Sequence, residues 1–339
     1  MSSEAPDIVN CFPEKPLPWQ DTQWHPLIQR FQSGLLAHAL LLKGAPGIGK
    51  GFFAKALAAR VLCNQAGVSY ACGHCKSCEL VKAGTHPDLL EVQPESAGKP
   101  IKIDQIRRVN EFARKTAQQG GRRVIVINPA EAMNINAANA LLKSLEEPGE
   151  NTLFILASAR SGDMLATIRS RCQMVTFSVP ERAGSMAWLS DHIADPLIVE
   201  QLLDLASGSP MTARSMFDNG TLAIRGRLIN AMPELFRGNL TPVEMAKDWH
   251  TSNLTELLAW MGSWLDDAVK LKLTADESSI RNRDLIRMLD YLAKKVEASD
   301  LLKLRDKIML QRQQLLEGAN LNSQMLMEGV FSDYLELLI

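Results

Sequence analysis

The chain has 339 residues, a length that suggests two or three domains, and 46% of them are hydrophobic, enough to bury a core. Charged residues make up 22% and nearly cancel to a net charge of −1, which excludes a disordered polar chain and argues against one that grips nucleic acid strongly on its own. There is no apolar run long enough for a membrane span, and Met1 to Pro18 is polar and acidic, so a cytoplasmic protein without a secretory signal is expected.

In chain order, residues 38–43 form a short apolar run that reads as a strand, Gly44 to Gly51 a glycine-rich turn, and Phe52 to Leu62 an alanine-rich helix. A cysteine-rich insert occupies 63–78, and residues 88–93 read as a second strand. Across 103–118, Ile103, Ile106, Val109, Phe112 and Ala113 share one helical face, and Gly120-Gly121 is expected to end that helix. Val124 to Ile127 reads as a buried strand, Ala137 to Leu145 as a helix and Leu153 to Ala157 as a strand. Short apolar strands alternating with helices indicate a doubly wound α/β domain built on a parallel sheet.

Beyond Pro180 the strand signals vanish. A small helical segment runs to about Phe217, broken at Gly208-Ser209-Pro210, and from about residue 222 the pattern is helical throughout. Leu254, Leu257, Leu258, Met261, Trp264 and Leu265 make one apolar stripe; Leu285, Met288, Leu289 and Leu292 make another. The predicted layout is an α/β domain over 1–178, a small helical lid over 179–221 and an all-α C-terminal domain over 222–339.

Gly44-Ala45-Pro46-Gly47-Ile48-Gly49-Lys50-Gly51 fits the P-loop pattern Gly-x4-Gly-Lys. In such a loop the glycines let backbone N–H groups turn in around phosphates, and the following helix adds its positive end. Gly44, Gly47, Gly49 and Lys50 are the candidate nucleotide-binding residues, with ATP or ADP as the ligand. The pattern normally closes on Ser or Thr, whose hydroxyl holds Mg²⁺; here it closes on Gly51. A second defect lies after the 124–127 strand, which runs into Asn128-Pro129-Ala130-Glu131 where an ATPase needs adjacent carboxylates for metal and water. Glu131 is displaced from that position. Two readings stay open, a loop that still holds nucleotide and a relic that keeps the turn without its ligand; turnover is not expected.

Cys63, Cys72, Cys75 and Cys78 have the spacing C-x8-C-x2-C-x2-C. Tight C-x2-C turns bring sulfurs to one tetrahedral Zn²⁺, and four thiolates leave no open position, so a structural zinc is expected. Iron–sulfur binding is the competing metal reading. His74 sits inside the turn and reads as exposed; His86 is a spare ligand that a filled site does not need. A nucleic-acid-binding ribbon would need more cations than Lys76 and Lys82. Cys11 and Cys172 stand alone and read as small buried or half-buried side chains.

The blocks Cys72-Gly73-His74-Cys75-Lys76-Ser77-Cys78, Gly84-Thr85-His86-Pro87-Asp88, Ile103-Asp104-Gln105-Ile106-Arg107, the run from Asn139 to Pro148, and Ser170-Arg171-Cys172 together resemble bacterial DNA polymerase III clamp-loader subunits of the gamma/tau and delta-prime type. The resemblance covers roughly residues 25–217. It implies an AAA+ P-loop sheet with a zinc insert, then a lid and a helical collar. The damaged loop, the absence of a sensor arginine at Gly208-Ser209-Pro210-Met211 (Arg214 is close by), and an end at Ile339 without a proline-rich extension resemble the delta-prime type more than gamma/tau. What this implies is a ring with gamma/tau and delta subunits that loads the beta sliding clamp on primed DNA, as part of the DNA-directed DNA polymerase III holoenzyme. No catalysis is then expected from the chain alone. Arg171 takes the family's arginine-finger position, acting in trans on the neighbouring ATP site, whereas Arg169 two residues away reads as a surface arginine. Lys143 is one candidate for contact with the DNA backbone. Glu146 and Glu147, adjacent on a helix, point apart and make poor acid–base partners. Trp19, Trp24, Trp260 and Trp264 are expected in cores, and Met309, Met325 and Met327 in core or ring-interface packing. The rivals are an active gamma-type ATPase and a zinc-dependent DNA-binding module.

Overall fold

The computed structural model describes residues 12–65, 67–96, 98–119 and 121–338, so Cys11, Gly120 and most of the acidic N-terminal stretch lie outside it. Two units emerge: one takes the chain up to Val199 with Gly208–Ala213, the other takes Glu200–Ser207 with Arg214 onward.

The first unit contains α1 (Asp21–Gln32), β1 (Ala39–Lys43), α2 (Lys50–Leu62), α3 (Lys76–Lys82), β2 (Leu89–Val92), α4 (Ile103–Arg114), β3 (Arg123–Ile127), α5 (Ile135–Glu146), β4 (Thr152–Ser158), α6 (Ala166–Arg169), β5 (Gln173–Thr176) and α7 (Arg182–Ser190). The five strands form one sheet in the order β2-β3-β4-β1-β5, and every pairing is parallel. Leu41 aligns with Leu156 on one side and Met174 on the other; Ile125 aligns with Phe154. Every residue of β3 and β4 is buried, as expected for strands covered on both faces. Alternate residues serve different layers. Leu40, Leu42, Val124, Val126, Leu153 and Ile155 pack with Trp24, Phe53 and Leu57 on one face. Ala39, Leu41, Ile125, Ile127, Phe154 and Leu156 pack with Ile106, Val109, Leu141 and Leu145 on the other. The parallel P-loop sheet anticipated from the sequence is therefore present, with its glycine turn at the C-terminal end of β1, where open α/β sheets place ligands.

Sequence periodicity overlooks four elements: α1, α3, the short α6 and the edge strand β5. It also runs α4 four residues too far. Lys115 is already extended, with φ −79° and ψ 160°. The backbone beyond it is held elsewhere: the buried Asp88 carboxylate accepts from the N–H groups of Gln118 (2.8 Å) and Gln119 (2.9 Å). The buried Arg123 guanidinium donates to the carbonyls of Phe112 and Thr116. Those bonds stop the helix before any glycine is reached.

The boundary between the units falls inside α8 (Pro196–Leu205) and α9 (Pro210–Asp218). The second unit then runs through α10 (Thr221–Phe236), α11 (Pro242–Trp249), α12 (Leu254–Thr274), α13 (Ile286–Lys295), α14 (Ala298–Leu316) and α15 (Ser323–Glu336). Both anticipated stripes enter its core, which gathers Leu257, Leu258, Met261, Trp264 and Leu265 of α12, Leu289 and Leu292 of α13, Ile308 of α14, and Met327 and Phe331 of α15. Gly262 lets α12 meet α14 closely: a Cβ there would lie 2.2 Å from Met309 Cε. Trp24, Trp260 and Trp264 are buried, whereas Trp19 is half-exposed and Met325 is 71% exposed. No described helix is long and apolar enough to cross a membrane.

Helix α11 opens on a capping box. Thr241 Oγ1 accepts from the N–H of Glu244 at 3.2 Å, and the Glu244 carboxylate accepts from the N–H of Thr241 at 2.8 Å. Thr241→Ala is expected to cost about 1 kcal/mol, read as a lower urea midpoint at unchanged slope.

Candidate functional site

The glycine loop is clamped through its carbonyls. Lys50 Nζ donates to Gly44 O (2.8 Å) and Ala45 O (2.6 Å). Ser209 Oγ donates to Pro46 O (2.9 Å), the N–H of Met211 to Gly47 O (3.0 Å), and Trp19 Nε1 to Ile48 O (3.0 Å). Gln20 Nε2 donates to both Ile48 O (3.1 Å) and Gly49 O (3.0 Å). By contrast, the N–H groups of Ala45, Gly47, Ile48 and Gly49 donate to no described residue. Carbonyls engaged and amides left free to donate is the polarity of an anion cradle. Gly47 and Gly49 have φ of +72° and +86°, and a Cβ at either would collide, with Thr212 Oγ1 at 1.8 Å and Leu17 Cδ1 at 2.3 Å. Gly47→Ala is expected to destabilise the unit by about 1–3 kcal/mol, measured by urea unfolding.

This loop opens on a cavity of about 680 Å³, within the size range of small-molecule pockets, lined by Gly47, Lys50, Gly51, Asn128, Glu131 and Ala159 among others. Burial lowers the pKa of Lys50, and the nearby Glu131 charge opposes that shift. Gly51 and Asn128, separate departures in sequence, are neighbours in space: a Cβ at Gly51 would lie 2.6 Å from Asn128 Nδ2. Glu131 is also engaged, with Oε1 accepting from the N–H of Ala159 at 2.9 Å.

Cys63 caps the C-terminus of α2, Cys75 precedes the first turn of α3 and Cys78 lies within it. All four candidate sulfurs of Cys63, Cys72, Cys75 and Cys78 lie within 4.8 Å of one another, and Cys72 Sγ is 3.9 Å from Cys78 Sγ. A tetrahedral ion with Zn–S of about 2.3 Å needs sulfurs about 3.8 Å apart, so the set fits a metal ion. The backbone N–H groups of His74 and Cys75 pull the Cys72 thiol down to about 6, while burial pushes Cys78 up. The two shifts oppose one another, and a cation at the centre would favour thiolate at every ligand. His74 is exposed and bonds to Cys72 O, and His86 stands outside the sulfur cluster. The N–H of Asp88 donates to His86 Nδ1 (3.1 Å), which leaves Nε2 protonated toward Ser77 Oγ (2.8 Å). Ser77 in turn donates to Leu62 O. His86 thereby pins α3 to the end of α2, fixing Cys78 against Cys63.

Arg171 follows α6 and is half-exposed. Its Nη2 pairs with Glu146 Oε1 at 2.5 Å, and its Nη1 donates to Thr167 O at 2.9 Å. The block around Glu146 is mainly a brace: Ser144 Oγ bonds Asn110 Oδ1 (2.7 Å), and Leu145 O bonds His38 Nε2 (3.0 Å). Lys143 is exposed. Cys172 is buried and its thiol is pushed up to about 11, an inert small side chain as its isolation in sequence suggested. Trp19, Gln20 and Ser209 carry no motif that marks them as loop clamps. Only the short spacing of two polar-edged residues after Leu17-Pro18 could have drawn attention to the first two.

The family described as "DNA polymerase III, delta subunit" matches residues 19–181, and that described as "DNA polymerase III, delta subunit, C terminal" matches residues 219–333. The "DNA polymerase III subunit delta'" of Pseudomonas aeruginosa is 39% identical over 322 residues, 94% of this chain and 97% of the relative. The subunit of the same description from Escherichia coli is 31% identical, covering 91% of this chain and 92% of the relative. A solved DNA polymerase III gamma subunit-related protein from Thermotoga maritima aligns with 94% of this chain and 100% of its own at a TM-score of 0.45 and 19% identity. With both halves matched and near-full-length relatives above 30% identity, the chain belongs to the delta' subunit family of DNA polymerase III.

Proposed function

We propose that the chain is the non-hydrolysing delta' member of a clamp-loader ring, in which gamma/tau subunits burn ATP to place the beta sliding clamp on primed DNA. The observation that carries the absence of hydrolysis is the Gly51–Asn128 contact. The residue that should present a metal-binding hydroxyl has none, and the residue that should present a carboxylate offers an amide packed against it. In this proposal Arg171 enters the neighbouring subunit's ATP site, α10 to α15 join the collar, and the division at 1–178, 179–221 and 222–339 separates sheet, lid and collar. Gly44, Gly47, Gly49 and Lys50 form a cradle that has kept its amides and lost its metal handle.

The four cysteines hold Zn²⁺ as a structural site. The ion supplies fixed tetrahedral cross-linking, and the cysteines with the His86–Ser77 clip hold the two helix ends to it. A zinc module built to bind DNA is disfavoured by Lys82, whose ammonium is committed to Glu14 (2.7 Å) and Gly73 O (2.7 Å).

The test is reconstitution with gamma/tau and delta subunits. The purified chain is expected to show no ATPase alone, to complete the ring, and to be required for clamp loading. ATP turnover by the isolated chain that disappears on Lys50→Ala would replace this reading with the gamma-type one. Gly51→Thr alone is expected to leave turnover at background, because Asn128 still supplies no charge for the metal; a steady-state ATPase assay checks it.

A further inference from the structure

Arg60 lies on α2 one turn before Cys63, and its residue is 2% exposed. Its Nε donates to Val68 O at 2.6 Å, in the loop joining Cys63 to Cys72, and its guanidinium lies 5.2 Å from the centre of the Phe31 ring. A buried guanidinium ordinarily has an anionic partner. Among the described residues no carboxylate lies within 4 Å of Arg60. It stands beside the cysteine module instead: Arg60 lines a surface depression with Cys63, the first of the four cysteines. Burial lowers the Arg60 pKa, and the groups that oppose this are the sulfurs of Cys63, Cys78 and Cys72.

A zinc ion bound by four thiolates leaves a net double negative charge. Other cations lie nearby: Lys82 is paired with Glu14, Lys76 is exposed between Cys75 and Cys78, and the half-buried Arg122 lines a depression with Cys63 and lies 5.3 Å from the centre of the Phe31 ring. Arg60 is the fully buried member of this set and has no carboxylate partner among the described residues. We infer that Arg60 is the counter-cation of the tetrathiolate zinc site, neutralising part of its charge from outside the ligand set while fastening the loop between the first two ligands. The inference rests on the zinc reading above and assigns a positioning residue to it. The cation disfavours protonation of a bound thiolate, the step that frees a sulfur from the metal, and so slows release. Groups that orient or charge-balance ligands in this way change metal affinity by about 10- to 100-fold when removed.

The test uses the full chain with Zn²⁺ or Co²⁺ as the probe. Metal content of the wild type comes first: less than one zinc per chain would sink the zinc reading itself, whatever Arg60 does. Given a full site, Arg60→Gln is expected to lose zinc to a chromogenic chelator at least about tenfold faster than wild type. Arg60→Lys, which keeps the charge but loses the planar fork, is expected to stay near the wild-type rate. With Co²⁺ in place of zinc, the sulfur-to-metal charge-transfer bands should move to lower energy in Arg60→Gln and not in Arg60→Lys, because removing a positive charge raises the sulfur donor levels. A wild-type release rate and unshifted bands in Arg60→Gln would overturn the inference. So would equal acceleration in both variants without a band shift, which would leave Arg60 as a loop fastener only. Far-ultraviolet circular dichroism of each variant separates these outcomes from misfolding.

Discussion

Arg171→Ala is expected to slow ATP hydrolysis at the adjoining site of the assembled ring by about 10³-fold or more while leaving ring assembly intact. A guanidinium placed in trans neutralises charge that develops on the γ-phosphate in the transition state, so its loss falls on rate rather than on binding. In the isolated chain the group is not idle: Glu146 holds it at 2.5 Å and Thr167 O at 2.9 Å. Both partners are satisfied from one side, and the pair is substantially exposed, with 34% and 48% of the two side chains open to solvent. Such a pair is worth little, about 0–1 kcal/mol, so exchanging Glu146 for a phosphate costs little. In the proposed trans role of Arg171, Glu146 acts as a parking partner. Glu146→Gln should keep the finger functional and hydrolysis near wild type, whereas Arg171→Lys should recover little, because an ammonium lacks the planar fork. The assay is DNA-stimulated ATPase with clamp loading in reconstituted complexes, with assembly read by gel filtration. An Arg171→Ala complex that assembles and hydrolyses at the wild-type rate would remove Arg171 from the mechanism. Arg169→Ala is the matched control and should change little.

The sheet was legible because its strands are short, apolar and bounded by glycine turns; burial on both faces writes an unbroken hydrophobic run such as Val124–Ile127. The elements that escaped are those whose burial is one-sided or borrowed. Strand β5 alternates, with Val175 buried and Met174 54% exposed, and at four residues it is too short for a pattern. Helix α1 carries Pro26 inside it and places only Trp24, Leu27 and Ile28 in the core. The C-terminal end of α4 was set by Asp88, far back in the chain, and by Arg123 on the next strand, contacts that no local period can report. The site divides the same way. The cysteines and the glycine loop are local spacings, so sequence marks them. The clamps Gln20, Trp19 and Ser209, the pairing of Arg171 with Glu146, and the contact between Gly51 and Asn128 exist only once the chain is folded. That last contact turns two separate sequence departures into one local event at the mouth of the cavity. A side chain at position 51 would press on the Asn128 amide, so in the proposed non-hydrolysing reading a gain of turnover needs both positions changed at once.

In the second unit, Asp267→Ala should cost about 2–4 kcal/mol, although Asp267 touches no candidate site. Asp267 is 1% exposed, and its Oδ2 accepts three hydrogen bonds, from the N–H groups of Arg281 (2.9 Å) and Asn282 (2.9 Å) and from Asn282 Nδ2 (2.8 Å). Its Oδ1 pairs with Lys270 at 3.0 Å. Asn282, also 1% exposed, passes the connection on through Oδ1 to Arg225 Nη2 at 2.9 Å. Arg225 is fully buried, binds Asp284 through two nitrogens at 3.1 and 3.0 Å, and lies 5.6 Å from the centre of the Trp264 ring. The chain segment between α12 and α13 has few apolar anchors other than Ile280 and Leu285, so this polar chain is what fixes its path. Alanine at 267 would remove the acceptor of the Arg281 and Asn282 backbone N–H groups, the latter buried, and leave the Asn282 side-chain amide only its longer bonds to Ser263 O (3.4 Å) and Ser263 Oγ (3.3 Å). Arg225→Met should cost less, about 1–3 kcal/mol, because methionine refills the space beside Trp260 and Trp264 and Asp284, 27% exposed, can turn to solvent. Urea unfolding of the full chain followed by tryptophan fluorescence measures both, with the transition fitted separately for each unit if two appear. A loss below about 1 kcal/mol for Asp267→Ala would mean that water replaces the carboxylate without penalty, and the segment would then owe its path to the helices on either side of it.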